Sequence, residues 1–391
     1  MAKLPEIRLP SSLKERLAQG HPWVYRDHVP PSLRLPMGAT VRLRCGGWTG
    51  YGLWDSASPI AVRVFSEHGP PDARLVRGRV RAAWELRAPL REAGCSAYRW
   101  LFGEGDGLPG ITVDRYGAYA VVQTYTASVE ALLAAVVDEM RACDPGLRGV
   151  VARGQAGEDP SRRASVLWGE QPPADLVIEE HGLQFYADLQ GGQKTGLFLD
   201  QRENRRTVEG LSAGRSVLNC FAYTGGFSLY ALRGGASEVV SADIGKGLAQ
   251  AAEANIRLNR LDAGRHSFVT ADCFELLAAY AEEGRTFDLV ILDPPSFARS
   301  RQSRYAAQRA YARLNALGMR CVAPGGLLAT ASCTSQVGPE AFKEALAAAG
   351  AQAGRRLQII HEAGQPLDHP VPAGFPEGRY LKFVVGRVLV P

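Results

Sequence analysis

From residue 216 to the C-terminus, short apolar runs alternate with longer stretches of helical periodicity, and no other feature constrains the fold as strongly. Strands are expected over 216–221, 238–242, 267–270, 287–292 and 327–332, each followed by a helix, over 227–233, 247–259, 274–283, 305–319 and 339–349. Further strands over 357–361 and 380–388 close the chain. A chain that returns through a helix after each strand lays its strands parallel, in a doubly wound α/β sheet. Such sheets bind ligands at the carboxyl ends of their strands, so the chemistry belongs just past each apolar run.

The first of those turns reads Val217-Leu218-Asn219-Cys220-Phe221-Ala222-Tyr223-Thr224-Gly225-Gly226-Phe227. It contains neither a Gly-x-Gly-x-x-Gly dinucleotide fingerprint nor a Gly-x-x-x-x-Gly-Lys-Ser/Thr triphosphate loop. Asp243, Asp272 and Asp293 follow at the ends of the second, third and fourth strands. A single strand-end Asp is often only a helix cap, and a glycine pair often only a turn. Three such carboxylates at successive strand ends instead suit a ribose and an adenine amine with no phosphate to cradle. S-adenosylmethionine is the usual ligand of that kind in this architecture. Contacts to it are expected from Asn219, Phe221, Tyr223, Thr224, Gly225 and Gly226, and from Asp243 with Ile244, Asp272 with Cys273, and Asp293 with Pro294.

At 391 residues the chain is long enough for two or three domains. Short β-like runs over 41–44, 48–54 and 60–65, after a helix over 11–19, read as a small β-rich module. A basic helical stretch over 73–91, broken near Pro89, leads into an α+β unit over 99–178. That unit has strands over 111–114 and 119–123, a helix over 129–141 and a polar, linker-like part over 153–165. The net charge of +5 is unevenly spread. Residues 1–100 carry 16 Lys/Arg against 8 Asp/Glu, and the rest 29 against 32, so the first part is suited to a polyanion or to solvated basic helices.

Hydrophobic residues make up 46% and charged residues 22%, with no apolar run near the roughly 20 residues of a membrane helix. The first ten residues lack the apolar stretch of a secretion signal, and a cytoplasmic, membrane-free protein is expected. Seven scattered cysteines without a Cys-x-x-Cys pair suggest neither a disulfide framework nor a zinc site, and no metal is expected.

Longer motifs give the chain a resemblance. Gly20-His21-Pro22-Trp23-Val24-Tyr25, Gly103-Glu104-Gly105-Asp106-Gly107-Leu108-Pro109-Gly110, Val113-Asp114-Arg115-Tyr116-Gly117 and Glu179-Glu180-His181-Gly182 stand before the alternating region. Gln193-Lys194-Thr195-Gly196-Leu197-Phe198-Leu199-Asp200-Gln201-Arg202 leads into it, and Leu292-Asp293-Pro294-Pro295-Ser296-Phe297, Ser332-Cys333-Thr334, Asp368-His369-Pro370 and Tyr380-Leu381-Lys382 lie within it. Together they resemble the class I RNA methyltransferases that make 5-methylcytosine in bacterial 23S ribosomal RNA.

That resemblance implies three parts: an N-terminal β-barrel PUA domain (1–70), a central α+β domain (71–185) and a Rossmann-like, S-adenosylmethionine-dependent methyltransferase domain (186–391). It implies that Phe198, Asp200, Gln201 and Arg202 lie against the cofactor, that 23S rRNA, free or partly assembled, is the partner, and that the protein is a homodimer. Position 219 departs from the family, with Asn where Asp is usual, and Gly245 stands where Ser is more common.

Cytosine C5 is a poor nucleophile until a thiolate adds at C6, so its methylation calls for a cysteine on a loop at the strand ends. Cys333 is at such a place, whereas Cys220, Cys273 and Cys321 read as small buried hydrophobes. Catalytic roles are thus expected for Cys333 and for Asp293 on the N3 and amino edge of the base. Substrate contacts are expected from Pro295, Phe297 and Lys194, with Tyr305 assigned to packing. Two alternatives stay open: transfer to another base atom such as guanine N7, which would leave Cys333 spare, and an RNA-binding assembly factor without turnover.

Overall fold

A computed structural model describes residues 4–153, 165–189, 197–298 and 303–390. The chain forms two compact units: one of Met1–Gly182, Tyr186–Leu199 and Leu367–Gly378, the other of Leu183–Phe185, Asp200–Pro366 and Arg379–Pro391.

The first unit holds two five-stranded sheets. In one, the strands run in the order Glu6–Arg8, Thr40–Cys45, Trp48–Trp54, Ile60–Ser66, Trp23–Tyr25. The alternation of Thr40–Cys45 buries Val41, Leu43 and Cys45 and turns Arg42 and Arg44 outward, as a sheet with one wet face requires. Trp48 and Trp54 are core residues here, and Trp23 packs edge-on against Phe375 with ring centroids 4.5 Å apart. In the other sheet the order is Ser165–Gly169, Gly149–Arg153, Tyr119–Thr124, Ile111–Tyr116, Ala97–Phe102. Helix Leu133–Cys143 carries the chain between the parallel pair Tyr119–Thr124 and Gly149–Arg153. The linker-like part expected over 153–165 falls almost wholly outside the described residues.

The basic stretch is two helices, Ala73–Leu86 and Ala88–Glu92, broken close to Pro89 as expected. Pro89 occupies the first turn of the second helix, where its missing N–H costs nothing. The break falls on Arg87, which is fully buried. Its guanidinium makes two 2.7 Å bonds to the carboxylate of Asp106 and a 2.8 Å bond to the carbonyl of Asp368. The glycine-rich motif over 103–110 is therefore a structural clamp, since Asp106 also accepts from the backbone N–H of Phe102 at 2.6 Å.

The second unit carries a seven-stranded sheet: β1 (Ser216–Cys220), β2 (Glu238–Asp243), β3 (His266–Thr270), β4 (Phe287–Leu292), β5 (Val322–Cys333), β6 (Arg356–Ala363) and β7 (Leu381–Leu389). Their order is β3-β2-β1-β4-β5-β7-β6. The first five strands are parallel, and β7 runs antiparallel to both β5 and β6. The helices are α1 (Arg202–Gly210), α2 (Gly226–Arg233), α3 (Leu248–Leu258), α4 (Cys273–Glu283), α5 (Arg304–Arg320) and α6 (Pro339–Ala353). The strand order reverses between β1 and β4, which places a crevice at the carboxyl ends of these two strands. Leu218, Val290, Leu292, Leu328, Leu277 and Met319 fill the core on one face of the sheet.

Candidate active site

The turn after β1 is built under backbone constraint. Phe221 (φ 60°) and Tyr223 (φ 49°) occupy the left-handed region, which costs a non-glycine residue on the order of 1–3 kcal/mol. Gly225 follows at φ 83°, and a Cβ there would stand 3.1 Å from Ala252. Neighbouring strand ends hold the strained residues. The N–H of Phe221 donates to Cys273 Sγ at 3.3 Å, and that of Tyr223 to Asp243 Oδ2 at 3.0 Å. Asp243 Oδ1 accepts from Gly245 at 3.0 Å, and the carbonyl of Thr224 accepts from Asn255 at 3.1 Å. The ends of β1 and β2 and the start of α4 are thus tied into one surface, on which Gly226 is half-buried.

Beside Asp243, Ile244 is 66% exposed, an uncovered apolar side chain next to a carboxylate. This is the surface that an adenosine needs, with a face to stack on and acceptors for the ribose hydroxyls. Asp272 caps α4 through Oδ1, which accepts from Phe274 at 2.8 Å and Glu275 at 3.2 Å. Asn219 is fully buried, its amide donating to Ser228 at 2.9 Å. From Ser228 a polar chain runs to Ser241 (2.7 Å) and on to His266 (2.8 Å), while Asn219 Oδ1 meets no donor among the described residues. The residues present fit S-adenosylmethionine.

The loops after β4 and β5 meet. Cys333, half-buried at the end of β5, points its thiol at the carbonyl of Pro294, 3.8 Å away. Ser296 and Thr334 both donate to the carbonyl of Ala298, at 3.0 and 3.4 Å. Asp293 Oδ1 accepts from Gln201 Nε2 at 2.8 Å, and Gln201 is itself buried and held by Asn204. Asp293 and Cys333 are therefore brought together on adjacent loops, as strand order requires. Phe297 packs against Tyr311 and Phe274, with centroids 4.8 and 6.0 Å away, while Pro295 is exposed. Tyr305 is 72% exposed, not packed as the sequence suggested, because it lies in the first turn of α5.

Other expected contacts are dispersed. Asp200 accepts from the Tyr380 hydroxyl at 2.6 Å. Arg202 is fully buried, with Nε on Glu203 at 3.0 Å. Phe198 is half-buried in the first unit, and Lys194 lies outside the described residues. Two groups at the Cys333 loop carried no role in the sequence reading. Burial pushes the Tyr311 hydroxyl up to about 12, and it pushes the Lys382 ammonium down to about 8. Tyr311 stands inside a helix pattern and so reads as core. Lys382 sits at the start of a largely apolar strand, and a cation next to the Phe383-Val384-Val385 run is the signal that was available.

The mainly parallel sheet with its β1–β4 switch point, a first turn without a phosphate-binding glycine pattern and the strand-end carboxylates fit a class I, Rossmann-like methyltransferase. The family model for S-adenosylmethionine-dependent methyltransferases matches residues 150–370, and that for PUA-like domains matches 7–67. Over 396 aligned residues the chain is 38% identical to Ribosomal RNA large subunit methyltransferase I of Salmonella enteritidis and to that of Salmonella gallinarum, covering 98% of each chain. The chain belongs to the family of ribosomal RNA large subunit methyltransferase I, and it is an S-adenosylmethionine-dependent enzyme.

Among solved structures, SMU.776, a methyltransferase complexed with SAH, shares the fold at a TM-score of 0.87 and 23% identity, covering 98% of this chain and 100% of that one. A SAM-dependent methyltransferase from Streptococcus mutans does so at 0.86 and 22%, with the same coverage. Among the described residues no helix is long and apolar enough to cross a membrane, and no group of His, Cys, Asp and Glu side chains is arranged to hold a metal ion.

Proposed function

We propose that the chain methylates C5 of a cytosine in 23S ribosomal RNA, in the cytoplasm, with Cys333 as nucleophile. The observation that carries this reading is the pairing of a half-buried strand-end thiol with the Asp293 loop, its Sγ 3.8 Å from the carbonyl of Pro294. A methyl transfer to guanine N7 has no use for a thiol there.

The bound cofactor supplies an electrophilic methyl group on a sulfonium. Asp243 and Ile244 would take its ribose and adenine, and Asp272 the adenine amine. The turn formed by Phe221, Tyr223, Thr224, Gly225 and Gly226 would border it, together with Cys273, Pro294, Asp200, Gln201 and Arg202. Asn219, whose Oδ1 is an unanswered acceptor, would face the methionine end. Asp293, oriented by Gln201, would hold the N3 and amino edge of the cytosine. The target base has to leave its stack to reach this loop. Pro294 and Pro295 fix φ and would keep the loop at working distance, and Phe297, with Lys194 from outside the described residues, would complete the base site.

The thiolate of Cys333 forms a bond to C6, and the electron pair displaced onto C5 takes the methyl group. The C5 proton then leaves to water, and the pair it releases expels the thiolate. The division into parts at 1–70, 71–185 and 186–391 belongs to this reading, with the PUA-like part docking RNA through shape and phosphates, and so does a homodimer.

The test is nucleoside analysis of unmodified large-subunit rRNA incubated with the protein and methyl-labelled cofactor. Labelled 5-methylcytidine is expected, and it should vanish with Cys333→Ala. Label in a guanosine, undiminished in that variant, would overturn the reading. Cofactor binding without any label would favour the assembly-factor alternative.

A further inference from the structure

Lys382 is buried (5% exposed) in the strand paired with the one that ends at Cys333. Register sets Cys333 opposite Leu381 and Ser332 opposite Lys382, so the lysine stands one residue from the cysteine's own partner. Its Nζ donates to the carbonyl of Thr334, the residue after Cys333, and to that of Tyr380 at 2.9 Å. Among the described residues the ammonium meets no carboxylate. Buried lysines without a counter-charge are rare, because desolvation favours the neutral amine.

From the geometry we infer that Lys382 is a positioning residue for the methyl transfer: its ammonium, clamped over the Cys333 loop, is the charge that keeps the thiol of Cys333 as thiolate. The inference rests on the reading of Cys333 as nucleophile. Burial lowers the lysine to about 8, and the negative charge of Cys333 opposes that fall. Coupling is reciprocal, so the ammonium favours the thiolate by the same free energy with which the thiolate favours the ammonium. At neutral pH Lys382 is mostly charged. Asp293, after β4, and Tyr311, on α5, also stand at this loop. Tyr311 stays neutral, since burial raises its hydroxyl to about 12, and a carboxylate such as Asp293 offers a thiolate no stabilisation. Lys382 is therefore a group at the loop whose charge draws the proton off Cys333. No further reactant is required: the proton leaves to solvent, and the thiolate is regenerated at the end of each turnover.

The test is the pH dependence of Cys333 alkylation by iodoacetamide on the full chain, read peptide by peptide in a mass spectrometer. In the wild type, half-maximal alkylation is expected below the ordinary thiol value of about 8.5. Lys382→Met should make Cys333 roughly tenfold slower at pH 7, equivalent to one pH unit in the midpoint. Lys382→Arg should retain most of the wild-type rate. A wild-type midpoint at or above the ordinary value overturns the inference, and so does an unmoved midpoint in a folded, cofactor-binding Lys382→Met. If Lys382→Met does not fold, the wild type and Lys382→Arg still decide. Should Cys333→Ala still form 5-methylcytidine, the nucleophile reading fails, while the alkylation profiles continue to report the Lys382–Cys333 coupling separately.

Discussion

Asp243 carries two loads, because its carboxylate accepts from the strained turn at Tyr223 and from Gly245 while standing beside the exposed Ile244. Asp243→Ala should both loosen that turn and remove a charged acceptor, which is typically worth about 1.5–3 kcal/mol. The cofactor dissociation constant is expected to rise at least tenfold by calorimetry, and an unchanged constant would place the ribose elsewhere. His266 offers a pH test of the same sheet. Burial lowers its pKa below the ordinary 6.5, against the opposing charge of Glu253. As the pH falls through that value, the unfolded chain takes a proton that the buried ring refuses, so stability is full above about 6.5 and declines below it. In denaturant titrations between pH 7 and 5, His266→Gln should flatten this decline, and an equal slope in both proteins would count against the buried polar chain.

At the scale of elements, the proposed catalytic surface is made by loops locked to one another. Gln201, at the start of α1, fixes Asp293, and Thr334 shares the carbonyl of Ala298 with Ser296. Gln201→Ala should lower kcat by about tenfold, the effect of losing one charge-assisted bond, and weaken cofactor binding by a smaller factor. An equal loss in both would mean that Gln201 acts through the cofactor.

The central strands were legible because period-two and period-3.6 patterns are strong in buried, regular elements. The run expected over 287–292 matches β4 end to end. Short or edge strands such as Glu6–Arg8, Trp23–Tyr25 and Ser165–Gly169 were not legible, since a three-residue strand has no period and an edge strand need not alternate. Strand order also made the Asp293–Cys333 pairing legible. The bond between Gln201 and Asp293 was not, because nothing local marks a contact made across 92 positions.

At the scale of the molecule, the basic N-terminal third is less open to a polyanion than its charge count suggests. Of the four arginines on helix Ala73–Leu86, Arg79 donates to the carbonyls of Gly107 and Phe65, Arg81 binds Glu139, and Arg77 lies 3.6 Å from Asp138. Burial lowers the Arg79 guanidinium. Arg74→Ala should therefore weaken RNA binding and reduce its salt dependence by about one ion, without changing the melting temperature. Arg79→Ala should lower the melting temperature instead. The reverse pattern would contradict this assignment. The segment Leu367–Gly378, which returns from the far end of the chain to the first unit, explains why charge and texture alone do not reveal how this unit is assembled.

The central claim is that Cys333 bonds to C6 of a cytosine in large-subunit rRNA, and trapping tests it most directly. A transcript carrying 5-fluorocytidine in place of cytidine cannot release the enzyme by losing a proton from C5, so the Cys333–C6 bond should persist. With cofactor present, the account predicts a denaturant-stable protein–RNA band in the wild type and none in Cys333→Ala. A band of equal intensity in Cys333→Ala, or no band from a protein that methylates the normal transcript, would contradict it.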